Sequence, residues 1–201
     1  MTQVAKRTLM HRRRIESYGY LRDDGLWDIE AKMQDLKTYQ VTREFDNSPV
    51  PEGQPFHDIS LTLTIDDTFL IKEVSVSMEA FPFPNCGGAA PNFSVLKGTR
   101  IGPGWNRRLK ETFSGKVGCT HVLELFPVAA TTAFQTMWQP LGEKYPDMVP
   151  HAVSKLVNSC HGWSEEGPMV KKLVEEQILQ LPEYSPNNVA VNVAVKESQN
   201  E

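Results

Sequence analysis

One seven-residue segment combines a cysteine, a histidine and a glutamate at spacings that suit catalysis. The segment GCTHVLE, residues 118–124, puts Cys119 at the start of a predicted helix, where free N–H groups and the helix dipole favour a thiolate. His121 and Glu124 are three residues apart and therefore share a helix face. A carboxylate that holds an imidazole in one tautomer suits general base catalysis. The alternative interpretation is a small buried cysteine beside a histidine that hydrogen-bonds the helix start.

A second candidate is the pair His57-Asp58, which stands where a proline-rich loop meets a predicted strand. Binding and catalytic residues concentrate where loops meet rigid elements. His57 is a candidate acid/base or ligand, with Asp58 as its orienting partner. A strand start with a solvent-exposed aspartate is the alternative.

The cysteines also offer a metal site. Three thiolates and one imidazole satisfy tetrahedral zinc, and the chain has Cys86, Cys119 and Cys160, with His121 as the fourth ligand. The sequence has no CxxC pair, so three free thiols acting as small hydrophobic residues are the alternative. We predict no cofactor, and zinc or iron is the alternative.

Substrate-binding candidates come from a predicted strand and from aromatic residues. Asp28 and Glu30 share a strand face opposite Trp27, so they line a pocket or form the wet face of a sheet. Trp27 and Trp105 are candidate walls for an apolar substrate. Phe83 and Trp163 are further candidates.

Alternating polarity predicts four strands in the first half of the chain. Trp27, Ile29, Ala31 and Met33 alternate with polar residues, and so do the apolar residues of 59–65. Asp-Asp-Gly at 23–25 and Asp-Asp at 66–67 mark two hairpin turns, and residues 46–56 form a loop. Two hairpins, each with one apolar face, predict an antiparallel sheet.

After residue 85 the period changes to that of a helix. Apolar spacings predict five helices, around 91–97, 105–113, 120–138, 152–160 and 169–181, the third interrupted or kinked near Pro127. Strands followed by helices predict an α+β fold, with a sheet packed against the helices. We expect one domain over 1–181, mainly strands at 11–80 and helices at 86–181, and a loosely ordered tail over 182–201.

Composition excludes several classes of protein. The 201 residues carry 21 Lys and Arg against 25 Asp and Glu, and this mildly acidic balance disfavours nucleic-acid binding. No apolar run reaches the roughly 18 residues of a membrane span, and the basic N-terminus lacks the core of a signal peptide. An odd number of cysteines fits a reducing compartment. We therefore expect a cytoplasmic protein, with the oligomeric state open.

A cluster of five basic residues stands near the N-terminus. Such a cluster is typical of a solvent-exposed strand edge or of a binding site for an anion. Its members are Lys6, Arg7, Arg12, Arg13 and Arg14.

A series of motifs resembles a known bacterial family. In order they are RI at 14–15, GY at 19–20, RxDGLWDIE at 22–30, HD at 57–58, TID at 64–66, Cys86, LxGxxIGxGW at 96–105, GCTHxxEL at 118–125 and ATTAFQT at 130–136. Over roughly residues 11–175 the chain resembles domain of unknown function 2889. The resemblance supplies a family and no reaction, and it implies an accessory role in bacterial small-molecule catabolism.

These observations lead to three hypotheses about function. The first is a cofactor-independent acid/base lyase for an aromatic or otherwise largely apolar small molecule, which works by elimination or by retro-aldol release of formaldehyde. His57 and His121 would move the protons, assisted by Glu124 or Asp58. The second is an accessory protein that binds a metal or an iron–sulfur cluster through the three cysteines and His121. The third is a ligand-binding module without turnover.

Overall fold

The computed structural model describes residues 5–180. It divides the chain into two compact units, Met1–Leu141 and Gly142–Glu201, where the sequence predicts one domain over 1–181. The predicted tail over 182–201 lies outside the described residues.

A four-stranded antiparallel sheet is the framework of the first unit. The strands are β1 (His11–Leu21), β2 (Trp27–Lys37), the short β3 (Val41–Thr42) and β4 (Pro49–Val50), β5 (Pro55–Ile65) and β6 (Ile71–Ala80). The long strands lie in the order β1-β2-β5-β6, while β3 pairs with β4, which lies within the predicted loop over 46–56. The predicted sheet of two hairpins is confirmed.

One face of this sheet is the core. Ile29, Ala31 and Met33 of β2 lie opposite Leu63, Leu61 and Ile59 of β5, and these six side chains are at most 1% exposed. Because side chains alternate between the faces of a strand, the next inward positions are Asp35 and His57. The apolar face therefore ends in a polar row.

Helices cover this face, which confirms the α+β class. A 3-10 helix (Cys86–Leu96) is followed by α1 (Trp105–Thr112), a 3-10 turn (Gly115–Val117) and α2 (Thr120–Lys144). Of the two outcomes expected near Pro127, an interruption is wrong, because α2 runs on through Pro127 and Pro140, and a kink stays a prediction. Proline removes one backbone hydrogen bond, and buried Phe126 and Ala129 hold the helix on the core at this point. Within residues 5–180 no helix is both long enough and apolar enough to span a membrane.

The close approach of α2 to β1 depends on Gly19. A Cβ atom added to Gly19 would lie 1.9 Å from Oγ1 and 2.6 Å from Cγ2 of Thr136. We therefore expect Gly19→Ala to lower the free energy of unfolding by about 1–3 kcal/mol, the usual cost of overpacking. Denaturant unfolding measures the change. Thr136→Ala removes these two atoms and leaves only Cβ of residue 136, at 2.7 Å, so the double variant should recover part of the loss; full additivity of the two changes would contradict the contact.

The second unit is small and built from short helices. A 3-10 turn (Pro146–Met148) leads into α3 (Val149–Ser154), and a second turn (His161–Trp163) precedes α4 (Pro168–Glu175). Its buried core consists of Val153, Val170, Leu173 and Leu179. The helix predicted to reach residue 160 ends at Ser154, and Asn158 beyond it adopts a left-handed φ of 59°.

Candidate active site

Three adjacent strands place charged side chains side by side at the end of the core face. Arg13 of β1 is the register partner of Asp35 of β2, which is in turn the partner of His57 of β5. Cross-strand partners project from the same face of a sheet. A register shift between Asp35 and Leu36 in the β2–β5 ladder ends the regular pairing at this row.

Arg13 and Asp35 form a bidentate ion pair at the base of the site. Nε and Nη2 of Arg13 each donate to one carboxylate oxygen of Asp35 at 2.8 Å, and the carboxylate is only 2% exposed. His11 Nε2 lies 3.0 Å from Oδ1 of the same carboxylate. Burial acts to raise the pKa of Asp35, but the hydrogen bonds from Arg13 and the charges of Arg13, His11 and His57 together outweigh it and bring the pKa to about 2. Asp35 is therefore ionised at neutral pH.

The ionised Asp35 fixes the tautomer of His57. Nδ1 of His57 lies 3.0 Å from Oδ2 of Asp35, and because a carboxylate can only accept, Nδ1 carries the hydrogen. Burial and the positive charge of the nearby His121 lower the pKa of His57, against the opposing effect of Asp35. The neutral ring consequently keeps a free lone pair on Nε2, as a general base requires.

His121 enters the site from the first turn of α2. Its ring centroid lies 3.9 Å from that of His57, with 32° between the ring planes. A hydrogen bond with Cys119 raises the pKa of His121, against the effect of burial. For Cys119 burial acts to raise the pKa, but the hydrogen bonds from His121 and from the backbone N–H groups of Val122 and His121 lower it overall. The pair thus favours an imidazolium beside a thiolate.

Both imidazoles border a cavity of about 430 Å³. Its other walls are partly aromatic and partly charged, and they come from β2, β3 and the residue after it but one, the start of β5 and the loop after β6. They are Lys37, Val41, Thr42, Glu44, Phe56, Pro82 and Phe83. The site therefore has room for a small molecule in contact with both rings.

The structure brings His57 and His121 together but gives them other carboxylate partners than expected. Asp58 accepts a hydrogen bond from Gln34 at 2.7 Å and pairs with Lys32 at 2.9 Å, so the expected His57–Asp58 pair does not form. Alternation sends consecutive strand residues to opposite faces, which separates Asp58 from His57. Glu124 is exposed and pairs with Arg13 Nη1 at 2.5 Å instead of with His121.

The expected substrate-binding residues lie elsewhere. Trp27 and Trp105 are buried in the core at 4% and 5% exposure, and Trp27 Nε1 donates to Asp67 at 2.9 Å. Asp28 and Glu30 lie on the outer face of the sheet, where Asp28 accepts a hydrogen bond from Thr64 at 2.6 Å. Of the predicted aromatic walls of the first unit, Phe83 borders the cavity.

The cysteines do not form the expected metal-ligand group. Cys86 and Cys119 are half-buried in the first unit, and Cys160 is exposed in the second. Among residues 5–180, the potential ligand atoms that converge belong to Asp35, His57 and His121, all within 4.8 Å of one another. The cysteines are therefore not among the converging ligand groups of the described residues.

Sequence reasoning missed Asp35 and the special role of Arg13. The signal for Asp35 was present, because extending the alternation of Trp27 to Met33 by one step puts a carboxylate on the apolar face. The same step backward from Ile59 reaches His57. Arg13 carried no signal of its own, since four other basic residues surround it in the sequence.

Removing the Cys119 sulfur should make His121 less basic. In Cys119→Ser the hydrogen-bonded sulfur that raises the pKa of His121 is replaced by a neutral hydroxyl, so we expect this pKa to fall. Histidine C2–H chemical shifts followed from pH 4 to pH 9 measure it. Cys86→Ser is the matched control and should leave the His121 titration in place. An unchanged pKa in Cys119→Ser would show that the pair does not form.

The fold and site define an α+β protein with two differently held imidazoles at a cavity. Residues 11–135 match the model of a family described as a protein of unknown function (DUF2889), and the chain belongs to this family. The match begins at β1 and extends into α2, so it includes Arg13, Asp35, His57 and His121. No curated protein and no solved structure matches the chain.

Proposed function

We propose that this protein is an acid–base enzyme, a lyase of small-molecule catabolism that works without a cofactor. The observation that carries the proposal is a pair of adjacent imidazoles whose surroundings move their pKa values in opposite directions. Such a pair separates the roles of acid and base at one pH. His57 takes a proton, and His121 supplies one.

This arrangement suits reactions in which one proton leaves and another arrives at a nearby atom. In a retro-aldol cleavage, Nε2 of His57 removes the proton of a hydroxyl group, the carbonyl forms, and the carbon–carbon bond breaks. The released electron pair on carbon takes the proton from His121. If the hydroxyl belongs to a hydroxymethyl group, the carbonyl product is formaldehyde. In an elimination, His57 removes a C–H proton and His121 protonates the departing hydroxyl, which leaves as water.

Proton NMR in D₂O tests the proposal with a panel of candidate substrates. Hydroxymethyl-substituted and β-hydroxy aromatic compounds are incubated with the protein, and we expect at least one to lose a proton signal, gain deuterium or release a carbonyl product. The same mixture with the double variant His57→Gln/His121→Gln is the control. Binding without exchange or cleavage across the panel would favour a ligand-binding module instead.

A metal site is the second candidate function, and it is favoured by the converging ligand atoms of Asp35, His57 and His121. Two imidazoles and one carboxylate suit several divalent metals. Against it, Arg13 occupies both oxygens of Asp35 at 2.8 Å, and a guanidinium there repels a cation. Elemental analysis of the untagged protein with a thiol titration decides: one equivalent of zinc or iron, lost in His57→Gln, would favour the metal site.

A further inference from the structure

The cavity beside the two histidines combines aromatic walls with one inward-facing cation. Phe56 and Phe83 border it, and Phe56 also meets the His57 ring edge-on, with the centroids 5.3 Å apart. Lys37 is the last residue of β2 and lies two positions beyond Asp35. Because side chains alternate along a strand, Lys37 projects from the same face as Asp35.

The ammonium group of Lys37 is available to a ligand, whereas the guanidinium group of Arg13 is not. Arg13 is engaged by Asp35 and Glu124. In the described part of the chain, Lys37 takes part in none of the ion pairs. Glu44 borders the same cavity but is exposed and unpaired with Lys37. A half-buried lysine without a protein partner favours an anion from outside.

We propose that this cavity binds an aromatic carboxylate, with the ring against Phe56 and Phe83 and the carboxylate on Lys37. The inference rests on the proposed function, because it assumes that the substrate binds in this cavity. Inward positions two residues apart on a strand are about 6.6 Å apart. This spacing separates the backbone positions of Asp35 and Lys37, and a linker of two or three carbons between ring and carboxylate is the length that we test.

A carboxylate fits this surface better than a phosphate. One lysine supplies a single positive charge, whereas a phosphate dianion is normally held by several donors or by a helix N-terminus. Glu44 at the cavity adds a negative charge that disfavours a dianion. The aromatic walls favour a ring over an aliphatic chain, because offset or edge-on ring contacts add to the energy of simple burial.

Isothermal titration with three probes tests the proposal. The probes are 3-phenylpropanoate, its neutral amide 3-phenylpropanamide and the saturated 3-cyclohexylpropanoate. We expect Lys37→Met to weaken 3-phenylpropanoate at least about tenfold, which is the usual effect of losing a charge-assisted hydrogen bond. Binding of the amide should change less than about twofold, and 3-cyclohexylpropanoate should bind the wild type about threefold more weakly than the aromatic acid.

Two variants control for charge and location. Lys32→Met removes the same charge from the same strand, but Lys32 pairs with Asp58 away from the cavity, so it should leave the affinity for 3-phenylpropanoate unchanged. Arg12 and Lys37 both border a neighbouring cavity of about 200 Å³. If Arg12→Gln weakened the acid as much as Lys37→Met, the ligand would occupy that neighbouring cavity and the proposal would be overturned.

The outcomes separate this inference from the proposed function. Equal binding of acid and amide, insensitivity to Lys37→Met, or no binding of any probe would each overturn the aromatic carboxylate. None of these results depends on proton exchange or cleavage. Lys37-dependent binding in a protein that never exchanges protons would support the ligand class and reject the acid–base enzyme.

Discussion

Replacing Asp35 with alanine is expected to lower the free energy of unfolding by about 3 kcal/mol. The carboxylate is 2% exposed and holds Arg13, His57 and His11 at 2.8–3.0 Å. Its removal leaves a guanidinium that has lost two hydrogen bonds and a buried imidazole that has lost one, and removing one member of a buried pair is among the costliest substitutions. Thermal and urea unfolding should show the loss, with a melting temperature lower by about 10 °C.

Asp58→Ala is the matched control for this prediction. Asp58 follows His57 on the same strand but pairs with Lys32, whose side chain is 46% exposed. Ion pairs that solvent reaches contribute roughly 0–1 kcal/mol, so Asp58→Ala should be the milder change. Equal costs for the two variants would mean that the Arg13–Asp35–His57 row does not stabilise the fold.

Replacing either cavity histidine with glutamine is expected to reduce kcat by a factor of about 10²–10⁴, the usual contribution of a general acid or base. The two residues act in one proton-transfer sequence, so their effects should not add. We expect kcat of the double variant to lie within a few-fold of kcat of the slower single variant. The measurement uses whichever compound the D₂O experiment identifies. Wild-type turnover in His57→Gln would contradict the assignment of the base.

The pH dependence follows from the opposite shifts of the two pKa values. His57 must be neutral, and its pKa lies below the ordinary 6.5, so activity should rise as the pH passes through that lower value. His121 must be protonated, and its pKa lies above 6.5, so activity should fall as the pH passes through that higher value. The profile is therefore a plateau that includes pH 6.5. A pH profile of activity with only one titration step would mean that one of the two histidines does not act as the acid or the base.

His11→Gln separates a catalytic role from a general loss of histidine. Nε2 of His11 lies 3.0 Å from Asp35, as close as Nδ1 of His57, but His11 does not border the cavity. We expect this variant to keep kcat within about threefold of the wild type. A loss as large as that of His57→Gln would indicate that the ionisation of Asp35, and not the imidazole of His57, carries the activity.

The sheet was predictable because the alternation of apolar and polar residues is a local pattern that repeats every two residues. Every second residue from Trp27 to Met33 is apolar and was predicted to face the core, and the same residues are buried in the structure. The two hairpin turns lie within a few residues of the strands that they join. The helix end at Ser154 was less predictable, because a helix of six residues is stabilised by packing and not by its own sequence.

The site was predictable in its histidines and not in their partners. His57 and His121 are chemically distinctive, and their local contexts singled them out. Asp58 and Glu124 are neighbours of these histidines in sequence and were the expected partners. Strand alternation places Asp58 on the other face, where it pairs with Lys32, and Glu124 pairs with Arg13. The true partner of His57 comes from another strand 22 residues away, and only the β2–β5 register reveals it.

The register of the Arg13–Asp35–His57 row also means that neither hairpin contains the whole site by itself. The first hairpin, β1 with β2, already contains Arg13 and Asp35. His57 is contributed by the second hairpin, which pairs with β2, and the ring of His121 is contributed by α2. A chain in which only the first hairpin has formed can therefore hold the ion pair, whereas the two imidazoles come together only in the complete fold of the first unit.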